Sequence, residues 1–154
     1  MAAAPHSRCG QRGTAIVEFT AALPLLLFLL LATVEVGRLL SEYDTLNKTV
    51  RNAARYLATN ALLGTTGVVS ITPQLQTATT NLVVSGNAAG SGSPLLPGLG
   101  AGNVTVTGLA NGYVSVSAAY TYVPMLGPTL PTFGLTAAIS LSVPLNATVV
   151  MRPL

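Results

Sequence analysis

Charge is the scarcest commodity in these 154 residues. Acids, lysines and arginines together make up 7% of the chain, against about a quarter in an ordinary soluble domain. Half the chain is hydrophobic, a composition that leans toward membranes. Beyond Arg55 no charged side chain occurs until Arg152. The formal charge of +3 therefore describes no broad basic surface. It arises from Arg8 and Arg12 at the start and from Lys48, Arg51 and Arg55 in one short stretch. Three cations without interleaved aromatics are a weak nucleic-acid signal and read as a solvated helix face. Cys9 is the lone cysteine, which excludes an intrachain disulfide, and His6 is the lone histidine. Both precede a long apolar run, in a segment open to removal by processing. The acids are Glu18, Glu35, Glu42 and Asp44, so beyond residue 44 there is no carboxylate pair for acid–base work and no metal-ligand cluster. The single lysine, Lys48, makes a Ser–Lys dyad remote. Neither catalysis nor a cofactor is expected. Asn-x-Thr triplets begin at Asn47, Asn103 and Asn146, but chance supplies many in a threonine-rich chain.

What the chain does contain is a membrane-length segment. From Ala15 to Val34 every residue is apolar or small except Glu18. Twenty or so such residues, at about 1.5 Å rise each, span a hydrocarbon core of roughly 30 Å. Pro24 lies inside the run, where a membrane helix tolerates it with a mild kink. Arg8 and Arg12 precede the run, so the positive-inside rule places the N-terminus in the cytoplasm and the long C-terminal part outside it. A secretory signal peptide is the competing reading. Its apolar region would be shorter, and a cut after "ATV", residues 32–34, puts valine where a small residue is wanted.

Glu18 is the oddity, because a lone carboxylate in oil is costly. A cut after Gly13 would leave Thr14 as the new N-terminus, its α-amino group about one helical turn from Glu18. On an axially shifted neighbouring copy that amine and Glu18 meet directly, and in low dielectric they attract strongly. Each alone is costly, so the penalty on a single subunit drives it into a stack of similar helices. The simpler alternative is that Glu18 snorkels to the headgroups, helped by Arg12. The residue by itself leaves both open.

The stretch "RGTAIVEF" looks like a prepilin-type cleavage site: basic leader, Gly13 before the cut, then Glu18 and Phe19 as fifth and sixth residues of the mature chain. "VEFTAALPLLLFLLLATVEVGR" followed by "NKTVRNAARYLA" resembles the N-terminal region of TadE-like proteins, the pseudopilins of the tight-adherence (Tad, Flp-type) pilus system. The resemblance rests on Gly13, Val17, Glu18, Phe19, Leu23, Pro24 and Leu25, then on Glu35, Gly37, Arg38 and Asn47, and last on Ala53, Ala54, Arg55 and Tyr56. It covers about a third of the chain. It implies processing between Gly13 and Thr14 by a prepilin peptidase, an integral-membrane aspartyl protease, and docking through Glu18 and Phe19. Arg38 and Arg55 are implied as partner contacts. It further implies an inner-membrane protein with a periplasmic C-terminal domain, a minor pilin-like component that works with other pilins or pseudopilins and the Tad inner-membrane assembly machinery in adherence and biofilm formation. An uncleaved, single-pass, membrane-anchored binding module is the alternative.

The expected plan has three parts: a leader, 1–13; a long helix, 14–58; and an exported α+β domain, 59–154. The helix should run about 65 Å at standard rise, greasy first and then amphipathic. Leu39, Tyr43, Leu46, Val50, Ala53 and Leu57 form its apolar stripe, with Asp44, Lys48, Arg51 and Arg55 on another line. Gly64 and Gly67 end the pattern. Thr72 reads as an N-cap and Pro73 as the first position of a short helix over 72–85, though its threonines leave a strand open. Residues 86–102, rich in Gly, Ser and Pro, read as a flexible loop. "NVTVTGLANGYVSVSAAYTYVP" reads as a hairpin around Asn111-Gly112. A third strand or broken pair follows from Gly134, with Pro144 placing it at an edge or a bulge. Together these give a pilin-like α+β fold, a long helix lying with its distal half on a small antiparallel sheet.

Overall fold

The computed structural model describes residues 11–62, 68–125, 127–130, 137 and 139–153. The expected leader, apart from its last three residues, lies outside that set, as do Gly64, Gly67 and Gly134. Helix α1 runs Gln11–Asn60, α2 Pro73–Ser85, and a short 3₁₀ turn Ala101–Asn103. The strands are β1 Val104–Gly108, β2 Val114–Thr121, β3 Thr129–Leu130, β4 Ile139–Ser140 and β5 Pro144–Met151. The chain divides into two compact units between Gly37 and Arg38.

The first unit carries the greasy part of α1. Its large apolar side chains are open to the surroundings: Ile16, Phe19, Leu25 and Leu29 are each more than 60% exposed. The helix continues through Pro24, which has no N–H to offer the carbonyl of Thr20. Thr20 and Thr33 turn their hydroxyls back onto the carbonyls of Ile16 and Leu29 at 2.8 Å, so neither adds an unsatisfied donor to the apolar surface. This is a helix long and apolar enough to cross a membrane.

The second unit is an α+β core. β1, β2 and β5 form an antiparallel sheet in the order β1-β2-β5, and β3 pairs with β4 separately. Register sorts the sheet into two faces. Val106, Val116 and Val149 line up across it, as do Val104, Ala118 and Ala147, and the pairs Tyr120–Leu145 and Val114–Met151. That face is buried or half-buried against Leu46, Val50, Ala53, Ala54 and Leu57 of α1 and Leu75 and Val83 of α2. The other face carries rows such as Thr105–Ser117–Thr148 and Thr107–Ser115–Val150, hydroxylated and without charge.

Most of the expected elements are present. Thr72 caps α2 by accepting the Leu75 N–H at 3.2 Å, with Pro73 in the first turn and Gly86 closing the helix at φ 78°. The 72–85 segment is therefore helix, not strand. In the hairpin the Gly112 N–H donates to the Leu109 carbonyl, so Ala110 and Asn111 are the central turn residues and Gly112 follows at φ 72°. Glycine occupies the one left-handed position there. Pro144 opens β5, an edge strand, where its missing donor costs least. Two differences matter. Tyr43 is 40% exposed, and Glu42 takes the inward position instead, because residues 42, 46, 50 and 53 share a face. And within the 86–102 loop Leu96 and Leu99 are core residues, which its glycine-rich composition concealed.

The sheet has a defined direction along α1. The Ser70 N–H bonds the Ala61 carbonyl at 2.7 Å, and Val69 and Ile71 pack by Gly108 at the hairpin end. The other end of β2 meets Glu42 through Tyr120. β2 thus runs back along α1, from the region of Ala61 toward Arg38.

Replacing Thr72 with alanine removes the cap and is expected to lower stability by about 1 kcal/mol, with Thr72→Ser keeping most of it. Urea titration of the chain in detergent checks this.

Candidate processing and docking site

Gly13 and Thr14 lie in the first turns of α1 and are exposed. A Cβ built on Gly13 meets nothing within 4 Å. Glycine costs about 1 kcal/mol relative to alanine inside a helix, and no close neighbour among the described residues demands it. Glu18 is exposed, five positions on, and has no hydrogen-bond or ion-pair partner among the described residues. Phe19 beside it is 61% exposed. The helix therefore presents an open glycine, a lone carboxylate and an aromatic ring within two turns, on an otherwise uncharged apolar surface.

The other two expected contact residues differ from each other. Arg38 is engaged within the chain: its Nε donates to Glu42 Oε1 at 3.1 Å. Glu42 is buried, and its second oxygen accepts the Tyr120 hydroxyl at 2.9 Å. Burial pushes the Tyr120 phenol up from 10 to about 12, and the hydrogen bond to Glu42 and its charge act in the same direction. The Arg38 cation and a hydrogen bond with the backbone of Val123 pull the other way. Arg55 is exposed on the outer face of α1 with no ion-pair partner among the described residues. On the same face Lys48 and Asp44 pair at 2.6 Å, both well exposed, a contact worth only a few tenths of a kcal/mol.

The Glu42–Tyr120 bond escaped sequence reading because it joins residues 78 positions apart. Half the signal was present: Glu42 stands four before Leu46 and four after Arg38, on the core-facing stripe. Nothing local named Tyr120 as its partner. Among the described residues no group of three or more His, Cys, Asp or Glu side chains is placed to hold a metal ion.

Comparison with known families bears on this arrangement directly. The family model described as TadE-like protein matches residues 13–55. Over residues 13–55 the chain is similar to the TadE-like family. The match opens on Gly13, takes in Glu18, Phe19 and Arg38, and closes on Arg55; residues 56–154 lie beyond it. No curated protein and no solved structure matches the chain.

Tyr120→Phe leaves a buried carboxylate oxygen without its donor and should cost about 1–3 kcal/mol. The sign with pH follows from the raised phenol: the unfolded tyrosine ionises near 10 and the folded one near 12. The stability it contributes is complete below pH 10 and is lost as pH rises toward 12. Ultraviolet titration of phenolate absorbance should show one tyrosine ionising late, and that component should vanish in the Phe variant.

Proposed function

We propose that this chain is a pilin-like assembly component, a minor pseudopilin of a Tad-type pilus, with no catalytic activity of its own. The TadE-like match over residues 13–55 carries the reading, since it links the chain to a pilus system whose proteins of this type are structural. On this reading a prepilin peptidase cuts between Gly13 and Thr14, and the open, Cβ-free position at Gly13 suits a protease that needs an extended, uncrowded backbone. The apolar half of α1 sits in the bacterial inner membrane with the N-terminus cytoplasmic and the sheet domain periplasmic. Glu18 then finds its counter-ion in the α-amino group of a neighbouring subunit, and Phe19 packs beside it. The energetic logic is asymmetric. A carboxylate left unpaired in a low-dielectric layer costs several kcal/mol, and pairing removes that cost only in an assembly. The partners are other pilins or pseudopilins and the inner-membrane assembly machinery, and the outcome is pilus biogenesis supporting adherence and biofilm formation.

N-terminal sequencing of the membrane-extracted protein is expected to begin at Thr14; a chain beginning at Met1 would instead be an uncleaved anchored binding module. Gly13→Leu should leave a full-length band on a gel. Glu18→Ala should be processed normally yet be depleted from the pilus fraction, and normal incorporation of that variant would count against the pairing.

A further inference from the structure

β5 forms one edge of the three-stranded sheet and pairs there with β2 alone. One bond decides which of its backbone groups face the open side. Tyr122 and Val143 stand opposite each other, one step beyond the Thr121–Pro144 pair, and the Tyr122 N–H donates to the Val143 carbonyl at 3.0 Å. In an antiparallel ladder, opposed pairs that exchange hydrogen bonds alternate with pairs that do not. The bonded pairs are therefore Tyr120–Leu145, Ala118–Ala147, Val116–Val149 and Val114–Met151. Asn146, Thr148 and Val150 turn their N–H and C=O groups away from β2. All three are exposed, and those groups meet no partner among the described residues. Pro144 belongs to the same set, so its missing N–H interrupts no bond to β2.

Sheet edges are ordinarily blunted by charge, by bulges or by proline. Residues 144–151 carry no charge, and their register with β2 is unbroken. Pro144 guards one end only. On the core side Leu145 and Ala147 are buried, whereas Val149 and Met151 are only partly covered. The apolar face thus reaches the edge without being closed there. Just past β5 stands Arg152, exposed and without an ion-pair partner among the described residues.

We propose that the open edge of β5 takes up an extended strand of a partner protein, apolar on alternate residues, uncharged along its length, and bearing an acid where it meets Arg152. Main-chain bonds to Asn146, Thr148 and Val150 supply the attachment, and the alternate apolar residues lie beside Val149 and Met151 and extend the core face. Charge selects a different protein over a second copy. Two β5 strands pairing antiparallel about Thr148 would set Arg152 of each copy against Pro144 of the other. No acid stands there, because Glu18, Glu35, Glu42 and Asp44 all lie on α1. An acid-ended foreign strand satisfies both the backbone groups and the arginine. The docking depends neither on cleavage after Gly13 nor on Glu18.

The test uses the full chain in detergent, titrated with synthetic peptides of alternating valine and threonine that end in aspartate or in lysine, each made in both chain directions. Amide hydrogen exchange is read by nuclear magnetic resonance. With about nine-tenths of the chain bound, the amides of Asn146, Thr148 and Val150 should exchange about tenfold more slowly, since exchange then proceeds from the free tenth. Those of Leu145, Ala147 and Val149, already bonded to β2, should not change. At low salt the aspartate-ended peptide should bind about two- to fivefold more tightly than the lysine-ended one, as an exposed ion pair allows, and Arg152→Glu should reverse that preference. Thr148→Pro, which removes an outward donor and no bond to β2, should abolish binding while Ala147 and Val149 stay protected. Glu18→Ala should bind as the parent does. No protection with any peptide overturns the proposal, as does equal binding of the two ends. A chain that dimerises by itself with Asn146, Thr148 and Val150 already protected has a second copy on the edge, and that also overturns it.

Discussion

Between Ala15 and Val34 every side chain of α1 except Glu18 prefers oil or is indifferent to it, and after Gly37 the same helix must lie on a sheet. Two solvents are imposed on one rod. The first half meets its solvent with an apolar surface broken by Glu18, and the second with a stripe: Leu46, Val50, Ala53, Ala54 and Leu57 are fully buried while Asp44, Lys48, Arg51 and Arg55 face out. Small residues at 53, 54, 58 and 61 keep the buried side thin enough for close packing. The sheet domain is arranged around that stripe: the lone cysteine allows no intrachain disulfide, and residues 56–151 carry no charge of their own.

Two carboxylates on this helix show how placement decides fate. Glu42 is buried and doubly served, by the guanidinium of Arg38 and the hydroxyl of Tyr120. A buried charge is tolerable when both its oxygens are partnered, and this one fixes the end of β2 to the helix. Glu18 stands on a surface at least as apolar and has no partner among the described residues. In the proposed function that lack is completed by a second subunit. On that proposal the same physical demand is met intramolecularly at Glu42 and intermolecularly at Glu18, and only the second couples to assembly.

The sequence spoke clearly where the rules are local. A run of apolar residues, Thr72 with Pro73, glycine after asparagine at 111–112, and Pro144 each name a structure within a few residues, and each is found. It was silent where partners are remote. Leu96 and Leu99 enter the core from a stretch whose glycines, serines and prolines advertise only a loop, and Tyr120 could be placed on a strand but not on Glu42. Polarity hid the inward position as well: the apolar Tyr43 fits the stripe by type, but Glu42 shares the face of Leu46, Val50 and Ala53 and is the residue buried there. For the candidate processing and docking residues the pattern lies in the sequence, and the structure adds that Gly13 is uncrowded and Glu18 open.

The TadE-like match ends at Arg55, which is also where charge ends until Arg152. A physical reason connects the two. Residues beyond 55 are held by apolar burial and backbone ladders, and volume-conserving exchanges among such residues typically cost under about 1.5 kcal/mol. Many sequences can build the same sheet. In the proposed function the helix is constrained at every turn: a glycine where a peptidase would cut, an acid at a fixed distance from the resulting amine, a proline that a membrane helix tolerates, and an arginine–glutamate pair at the point where the strand is tied. Among the described residues Arg152 is the one charged side chain outside α1, so charge on this chain is concentrated on α1, while the sheet's hydroxylated face offers hydrogen bonds without charge. In the proposed function Arg51 and Arg55, exposed and unpaired among the described residues, are the cations of α1's outer face that an acidic surface on a neighbouring subunit would meet.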